Sequence, residues 1–306
     1  MKIAIVGPGA MGLLFSGLLT KSGHNVIILD HKKDRADRLN KTKIEVSGLD
    51  EFSFDVNFTS DARELASYEL VIVFVKAYST KSVADTLKGA GLKNYVLTLQ
   101  NGLGNAETLV SALGNDRVLA GTTSFGATKL AENKIRLAGR GGVVIGALSA
   151  KNKNVAEKFA NIFIECGLET KLTDDPRGAI FSKAIINVGI NALTAIARLQ
   201  NGKIAEFPEL WEVSAAAVRE ASEVAKAEGI KLLFDDPVEA TKKVCIATAL
   251  NRSSMLQDVE ANRKTEIDFI NGKIVSRAQR HKIPAPVNWT LWRLVKAIER
   301  KNALEP

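Results

Sequence analysis

Three polar residues interrupt an otherwise apolar segment in the middle of the chain. Lys183, Asn187 and Asn191 lie four residues apart within residues 181–195, which are mostly apolar. Residues at this spacing lie above one another on one face of an α-helix. A helix that is apolar on most sides is expected to be buried. Burial of ammonium and amide groups costs free energy unless they have polar partners. The pattern predicts that this stripe binds a small polar ligand. The alternative is a lysine whose head reaches solvent and two asparagines that bond to nearby loops.

A glycine-rich sequence near the N-terminus has the arrangement of a dinucleotide-binding loop. The apolar run Ile3–Val6 precedes Gly7-Pro8-Gly9-Ala10-Met11-Gly12, and a helical pattern and a second strand follow. In the order strand, G-x-G-x-x-G, helix, strand, the glycines permit a tight turn, close approach to a pyrophosphate, and close helix packing. The helix N-terminus favours the anion. We predict that residues 7–12 bind NAD or NADP.

The residues after the second strand leave the choice of dinucleotide open. Asp30 ends that strand, where an acid can bond the ribose hydroxyls of NAD. Lys32 and its basic neighbours follow immediately and have the charge to hold the extra phosphate of NADP; these neighbours are His31, Lys33 and Arg35. A simpler interpretation is that they coat the exposed start of the next helix.

Two further residues follow predicted parallel strands directly. The runs Leu70–Val75 and Tyr95–Leu99 are continuously apolar, as in buried parallel strands, and lead into Lys76 and Asn101. Because ligands of open parallel sheets bind beyond the carboxyl ends of the strands, both side chains are expected to face the cofactor. A surface lysine and a turn-forming Asn-Gly pair are the alternatives.

The pattern of elements changes near residue 175. Before it, further strands are predicted at 43–46 and 52–58 as a hairpin, at 118–120, at 135–138 and 142–145 as an antiparallel pair, and at 169–172, with a helix at 154–166. After Asp174-Asp175-Pro176 the predicted elements are helices only, at 178–199, 208–228, 237–250, 259–270 and 286–300. The sequence therefore predicts an α/β Rossmann-type domain over residues 1–174 and an all-α substrate domain over residues 175–306.

Composition and charge narrow the class of protein. The 306 residues are 46% hydrophobic and 25% charged, without an uninterrupted apolar run of the length a membrane span requires. The net charge of +8 favours anionic partners, but basic residues are interspersed with acids and aromatics are only 6%, which argues against nucleic acid. Cys166 and Cys245 are isolated and the three histidines lack zinc spacing, so we predict neither disulfide nor metal. We expect a cytoplasmic protein with no membrane partner; a homodimer stays open.

The sequence resembles the ketopantoate reductase (2-dehydropantoate 2-reductase) family over nearly its whole length. The resemblance lies in the glycine loop and in several later motifs. These are Phe74-Val75-Lys76-Ala77-Tyr78, Leu99-Gln100-Asn101-Gly102-Leu103-Gly104, Gly121-Thr122-Thr123, Lys183-x-x-x-Asn187-x-x-x-Asn191, Asn201-Gly202, Ser253-Ser254-Met255-Leu256-Gln257-Asp258, Thr265-Glu266-Ile267-Asp268 and Ile270-Asn271-Gly272. The two runs at 253–258 and 265–268 are distinctive of that family, whereas the glycine loop is common to many enzymes.

The resemblance implies a Rossmann domain, a helical domain and an active site in the cleft between them. It assigns Lys183 as proton donor and substrate ligand. It implies that the 2-oxo acid contacts Asn187, Asn191, Asn201 and Ser254, and the cofactor Lys76, Asn101, Ala127 and Glu266, with Asn101 also reaching the substrate. NADP(H) is the cofactor that the family favours. Asp30-His31 departs from members that place an arginine there, so NAD(H) stays open.

Reduction of a 2-oxo acid builds negative charge on the carbonyl oxygen. A buried lysine suits this reaction because it donates hydrogen bonds and its pKa is lowered towards neutrality. Glu266 is expected to keep Lys183 charged and oriented. On one straight helix Ser254 and Glu266 would lie about 18 Å apart, too far for one small site. We therefore predict a loop at residues 253–257 and a helix after Asp258. Alternatively, Ser254 caps a helix and Glu266 is a solvated charge.

Four functions are compatible with these residues. The first is reduction of 2-dehydropantoate to (R)-pantoate with NADPH, in pantothenate and coenzyme A biosynthesis. The second is reduction of another branched or aromatic 2-oxo acid, as in a mandelate dehydrogenase. A nonenzymatic NAD(P)-binding sensor is a third alternative, and a basic nucleic-acid binder is the weakest.

Overall fold

An eight-stranded β-sheet forms the centre of the N-terminal part of the chain. This computed structural model describes residues 1–304, and the chain divides into two units. The sheet belongs to the first unit. This unit contains Met1–Gln100 and Asn105–Pro176. The second contains Asn101–Gly104 and the chain from Arg177 onward. An α/β fold precedes a helical one, so the predicted fold class is confirmed.

The strands of the first unit form two sheets. In chain order they are β1 (Lys2–Val6), β2 (Asn25–Leu29), β3 (Ile44–Gly48), β4 (Phe52–Phe54), β5 (Asn57–Thr59), β6 (Leu70–Val73), β7 (Tyr95–Thr98), β8 (Val118–Thr123), β9 (Gly126–Ala131), β10 (Lys134–Gly139), β11 (Val143–Ala147) and β12 (Thr170–Leu172). The large sheet has the order β12-β11-β8-β7-β6-β1-β2-β5, parallel except where β11 meets β8. Its parallel part has the strand order of a dinucleotide-binding Rossmann sheet.

Helices cover both faces of the large sheet. They are α1 (Ala10–Lys21), α2 (Lys33–Leu39), α3 (Thr80–Gly89), α4 (Asn105–Leu113) and α5 (Lys153–Glu165). Side chains of β1 alternate between two cores, with Ile3 and Ile5 in one and Ala4 and Val6 in the other. Burial on both faces explains why such strands are continuously apolar.

The four-stranded sheet, in the order β4-β3-β10-β9, packs against α1. A Cβ on Gly17 of α1 would lie 2.7 Å from the ring of Phe54, so glycine is required where the helix meets this sheet. The hairpin predicted from 43–46 and 52–58 is confirmed in its first half, because β3 and β4 pair antiparallel. The second half of that run is wrong, because β5 pairs with β2 in the large sheet. The predicted pairing of 135–138 with 142–145 is also wrong, because β10 pairs with β9 and β3, and β11 pairs with β8 and β12.

The second unit is helical. Its helices are α6 (Pro176–Ala197), α7 (Asn201–Glu206), α8 (Pro208–Ala227), α9 (Pro237–Ala247), α10 (Ser254–Glu260), α11 (Asn271–Arg280) and α12 (Pro286–Leu304), with a 3₁₀ turn at Ile267–Phe269. Apolar residues from α6 to α12 form one core with α6 inside it. Among the described residues, α6 is the one helix that by length and composition could cross a membrane, yet 72% of its most apolar window is buried here. Core helices of soluble proteins have the same character.

The predicted helix at 259–270 is wrong, and so is the predicted loop at 253–257. The helix in this region is α10, which begins at Ser254 and ends at Glu260. Its N-cap is Ser253, whose hydroxyl accepts from the backbone N–H of Leu256 at 3.0 Å. Asn262 follows with φ of 50°, a left-handed conformation that ends helices and that asparagine tolerates. Ser254 and Glu266 therefore lie on different elements. This agrees with the expectation that they could not share one small site if they lay on a single straight helix.

Candidate active site

Lys183 lies on α6 with its ammonium group held by a polar partner. Its Nζ donates a hydrogen bond to Oδ1 of Asn101 at 2.8 Å, and the residue is partly buried. Burial lowers the pKa of Lys183 to about 8, and the negative charge of Glu266 opposes that decrease. The amine is thus poised where it is charged at neutral pH but can lose its proton readily.

Glu266 is brought to Lys183 by the turn that follows α10. It is 6% exposed, and its carbonyl accepts from the N–H of Phe269 at 2.9 Å at the start of the 3₁₀ turn. The carbonyl of Phe269 in turn accepts from the N–H of Leu103 at 2.8 Å. A Cβ on Gly102, which has φ of 85°, would lie 2.8 Å from that same carbonyl oxygen. This close approach fixes the loop that carries Asn101, so Asn101, Lys183 and Glu266 form one cluster.

The two asparagines of the stripe continue it along α6. Asn187 is half-buried and Asn191 is 6% exposed. Within residues 1–304 neither side-chain amide has a hydrogen-bond partner, so the interpretation that they bond to nearby loops does not hold. Amide groups in so enclosed a position are available to a polar ligand.

Ser254 is held near the stripe through its neighbour. The hydroxyls of Ser253 and Thr194 are 2.7 Å apart and both buried, which fastens the start of α10 to α6, one turn beyond Asn191. Ser254 is the first residue of α10 and is partly buried. The N-cap role considered for Ser254 thus belongs to Ser253.

Asn201 begins α7 and is 8% exposed. Its Nδ2 donates to Oγ1 of Thr248 at 3.0 Å, and its backbone N–H donates to the carbonyl of Asn251 at 3.0 Å. Its Oδ1 is buried with no partner in residues 1–304. A buried acceptor of this kind is costly unless a ligand donates to it.

The glycine loop of the first unit has the geometry that a dinucleotide requires. Gly7 has φ of 103°, and a Cβ on Gly12 would lie 2.0 Å from the carbonyl oxygen of Gly7. At Gly9 the space is open, because the nearest atom to an added Cβ lies 3.9 Å away. Gly9 is the N-cap of α1 and provides no side-chain cap, which leaves the N–H groups of the first turn, including Ala10 and Met11, to a ligand. The residues present fit a bound pyrophosphate.

Asp30 is fully buried and already paired. Nε and Nη2 of Arg35 donate to its two oxygens at 2.5 and 2.7 Å, and the N–H of Lys32 donates at 3.0 Å. Burial alone would raise the pKa of Asp30, but these bonds hold it below its usual value. These three bonds occupy three of the about four acceptor sites of the carboxylate, which leaves room for one ribose hydroxyl and not for two.

Lys129 is a charged residue of this region that the sequence analysis missed. Its Nζ donates to the carbonyl of Pro8 in the glycine loop at 2.8 Å. Burial and next the charge of Arg35 lower the pKa of Lys129, while Asp30 and Glu132 oppose them. Lys129 lies two residues after Ala127 on β9, so strand alternation puts both on one face. That alternation is the signal that could have identified it.

The remaining predicted residues have simple placements. Lys76 is partly buried and precedes a 3₁₀ turn at Ala77–Ser79, shortly after β6. Ala127 is partly buried in β9, opposite Leu137 of β10. Within residues 1–304 there is no group of three or more His, Cys, Asp or Glu side chains arranged to hold a metal ion.

Two family models match the chain. The model described as "Ketopantoate reductase PanE/ApbA" matches residues 3–150, and the one described as "Ketopantoate reductase PanE/ApbA C terminal" matches residues 175–299. Together they cover most of both units.

Individual relatives agree with the family models. The chain is 36% identical over 302 residues to the 2-dehydropantoate 2-reductase of Halobacterium salinarum, an alignment that covers 98% of this chain and 99% of the relative. A crystal structure of a PanE/ApbA family ketopantoate reductase from Ralstonia eutropha superposes with a TM-score of 0.90 at 33% identity, over 99% of this chain and 100% of that one. D-mandelate dehydrogenase in complex with NADH and anilino(oxo)acetate superposes with a TM-score of 0.92 at 26% identity, with the same coverage.

Proposed function

The chain belongs to the ketopantoate reductase family, and from this premise we propose that it reduces 2-dehydropantoate to (R)-pantoate with NADPH, in pantothenate and coenzyme A biosynthesis. The observation that carries the proposal is the Lys183 ammonium, bonded to Asn101 and facing Glu266 at one end of a stripe of unpaired amides. A proton donor beside a row of amides is what a 2-oxo acid requires.

The first unit holds the dinucleotide. The N–H groups at the start of α1 and the open space at Gly9 receive the pyrophosphate, and Lys76 and Ala127 contribute further contacts. When bound, the reduced cofactor supplies the hydride for the carbonyl carbon of the substrate.

Lys183 stabilises and then neutralises the negative charge that develops on the carbonyl oxygen of the substrate. Its ammonium donates a hydrogen bond to the carbonyl oxygen, stabilises the growing negative charge, and transfers its proton to that oxygen. Glu266 keeps the amine protonated before the reaction, and Asn101 fixes its direction. After transfer the neutral amine recovers a proton from solvent.

The amides and hydroxyls of the second unit hold the rest of the substrate. Asn187 and Asn191 offer N–H donors to the carboxylate and carbonyl oxygens, and Ser254 offers a hydroxyl. The buried Oδ1 of Asn201 matches a substrate that carries a hydroxyl group, since only a donor relieves it. 2-Dehydropantoate has such a hydroxyl at its fourth carbon, whereas simple branched 2-oxo acids lack one.

The pairing of Asp30 favours NADPH over NADH. Arg35, Lys129 and Lys32 outnumber the two carboxylates of this region, Asp30 and Glu132, so the position is net positive. A 2′-phosphate is attracted by such a group, and two ribose hydroxyls gain less from it.

The direct test is turnover of 2-dehydropantoate with NADPH and NADH, compared with phenylglyoxylate, the 2-oxo acid of a mandelate dehydrogenase. We expect 2-dehydropantoate with NADPH to have the highest kcat/KM. Preference for phenylglyoxylate would assign the enzyme to the mandelate type, and cofactor binding without turnover would indicate a sensor.

Replacing Lys183 by alanine should lower kcat for 2-dehydropantoate roughly 100-fold or more, because a general acid typically contributes that much. NADPH affinity, measured by fluorescence titration, should stay near the wild-type value. Lys226→Ala, an exposed lysine near the end of α8, is the matched control and should leave both unchanged. Normal kcat in Lys183→Ala would contradict the assignment.

A further inference from the structure

We propose that Glu299 and Lys296, on the last helix, are positioning residues that hold Glu266 in place to face Lys183. The inference rests on the proposed function, in which Glu266 keeps Lys183 charged. It concerns residues that neither the sequence motifs nor the comparisons single out.

The residue before Glu266 is bound to α12 by two hydrogen bonds. Oε1 of Glu299 accepts from the backbone N–H of Thr265 at 2.8 Å and from its hydroxyl at 2.7 Å. The Glu299 side chain is 12% exposed. Bonds from a carboxylate to a backbone N–H are among the stronger ones in proteins, so they restrain the backbone directly before Glu266.

The segment after Glu266 is bound to the same face of α12. The carboxylate of Asp268 accepts from Nε1 of Trp292 at 2.7 Å and from Nζ of Lys296 at 3.0 Å. Lys296 also donates to Glu299 at 2.6 Å, so one ammonium group joins the two carboxylates. Positions 292, 296 and 299 are spaced four and three apart, which puts their side chains on one side of the helix.

These contacts fix the segment from both ends. Burial alone would lower the pKa of Lys296, but Glu299 and Asp268 raise it. The Lys296 ammonium group that joins these two carboxylates therefore stays charged at neutral pH. On the other side, the carbonyl of Phe269 accepts from the N–H of Leu103, in the loop that carries Asn101. The backbone of Glu266 is therefore held between α12 and that loop, with little freedom to turn its carboxylate away.

Three further charged residues lie near this segment, namely Arg263, Lys264 and Lys273. Arg263 pairs with Asp258 at 3.1 Å, and Lys273 lies 6.0 Å from the ring centroid of Phe269. Glu266 is the charged group that raises the pKa of Lys183. A Glu266 that moves away should consequently lower the pKa of Lys183, which a loss of stability alone would not do.

The experiment measures the pKa of the Lys183 amine without relying on turnover. Acetic anhydride labels neutral amines, and mass spectrometry of the Lys183 peptide as a function of pH gives the titration. Glu266→Gln should lower this pKa by about one unit, because a nearby opposite charge shifts a pKa by that order. Glu299→Ala and Lys296→Met should lower it in the same direction, by about half as much or more. Glu299→Gln, whose amide oxygen still accepts from Thr265, should lie closer to wild type.

A double variant and a matched control complete the design. In Glu266→Gln, adding Glu299→Ala should cause no further shift if Glu299 acts through Glu266. Glu209→Gln, an exposed glutamate in the first turn of α8, should leave the pKa unchanged. An equal shift from Glu299→Ala in both backgrounds, or no shift in either Glu299→Ala or Lys296→Met, would overturn the proposal. Because labelling needs no substrate, this outcome is separate from failure to reduce 2-dehydropantoate, which would overturn the proposed function instead.

Discussion

At the scale of single residues, Lys183 combines two opposing influences. Burial disfavours its charged form, while Glu266 favours it, and the result is a pKa of about 8. A lysine at its ordinary pKa would bind a carboxylate but would transfer its proton reluctantly. The balance between burial and one carboxylate is thus what lets this side chain serve as an acid.

That balance predicts the pH dependence of the reduction. Lys183 must be protonated to donate, and the protonated fraction is lost as the pH rises through about 8. We expect kcat in single-turnover measurements to be constant at lower pH and to fall about tenfold per unit above the pKa of the complex. A profile flat to pH 10 would show that Lys183 does not limit the proton transfer.

The cluster around Asp30 predicts the contribution of a single lysine to cofactor choice. Lys129→Ala should weaken NADPH binding roughly tenfold, the scale of one charge-assisted hydrogen bond, and NADH binding much less. Lys134→Ala, on the adjacent strand β10 and paired with Glu45, is the control. Fluorescence titration of both cofactors gives the ratio of their affinities. Equal weakening of NADPH and NADH binding would show that Lys129 supports the glycine loop and does not bind the 2′-phosphate.

At the scale of elements, one glycine of the glycine loop is needed for the fold and another for ligand binding. Gly12 and Gly9 belong to the same motif, yet an added Cβ meets backbone at 2.0 Å in the first case and only open space in the second. The first glycine is needed to bring α1 against the turn after β1, and the second keeps room for the ligand.

This difference predicts opposite outcomes for two alanine substitutions. Gly12→Ala should lower the free energy of unfolding by about 3 kcal/mol or more, since backbone has to move. Gly9→Ala should lower it by less than about 1 kcal/mol, the scale of a helix-capping preference, but weaken NADPH binding strongly. Thermal unfolding and cofactor titration give both values. A Gly9→Ala protein that binds NADPH normally would contradict the phosphate-loop assignment.

The sequence identified elements where local pattern and tertiary structure agree. The buried strands β1, β6 and β7 and the helix α6 could be predicted from their local apolar pattern alone. For the run at 52–58 the predicted hairpin is correct in the first half only, because the second half joins the other sheet, which no local pattern reveals. The helix predicted at 259–270 failed at Asn262, whose left-handed backbone and polar successors end the periodicity.

The candidate site was predictable to a similar extent. Lys183, Asn187 and Asn191 follow from helical spacing, and the glycine loop from its motif. The pairing of Asp30 with Arg35 depends on side-chain geometry within one turn, and the roles of Lys296 and Glu299 depend on a contact between elements distant in sequence. Contacts of that kind leave no periodic signal.

At the scale of the whole molecule, the core of the second unit is assembled from the entire C-terminal part of the chain. Apolar residues from Leu103 to Val295 form one cluster, with α6 contributing more of it than any neighbour. Leu291 and Val295 of α12 are 4% and 0% exposed within it. The unit therefore depends on its last helix.

Removing that helix tests the dependence. A chain ending at residue 285 should lose the cooperative unfolding of the second unit and bind a hydrophobic dye such as ANS, because the α6 core is uncovered. A chain ending at Ala303 is the control and should unfold like the full chain. Normal unfolding of the shorter chain would show that α12 is dispensable for this core.

The composition of α6 has a consequence for how the protein is made. The chain is synthesised from its N-terminus, so this segment with the hydropathy of a membrane span is made before the later helices that cover it. Lys183 is the eighth of the 22 residues of this segment, and a lysine inside a membrane span costs up to about 3 kcal/mol on transfer into a bilayer. Lys183, aided by the two asparagines, thus disfavours diversion of the nascent chain into lipid before the enzyme has a substrate to bind.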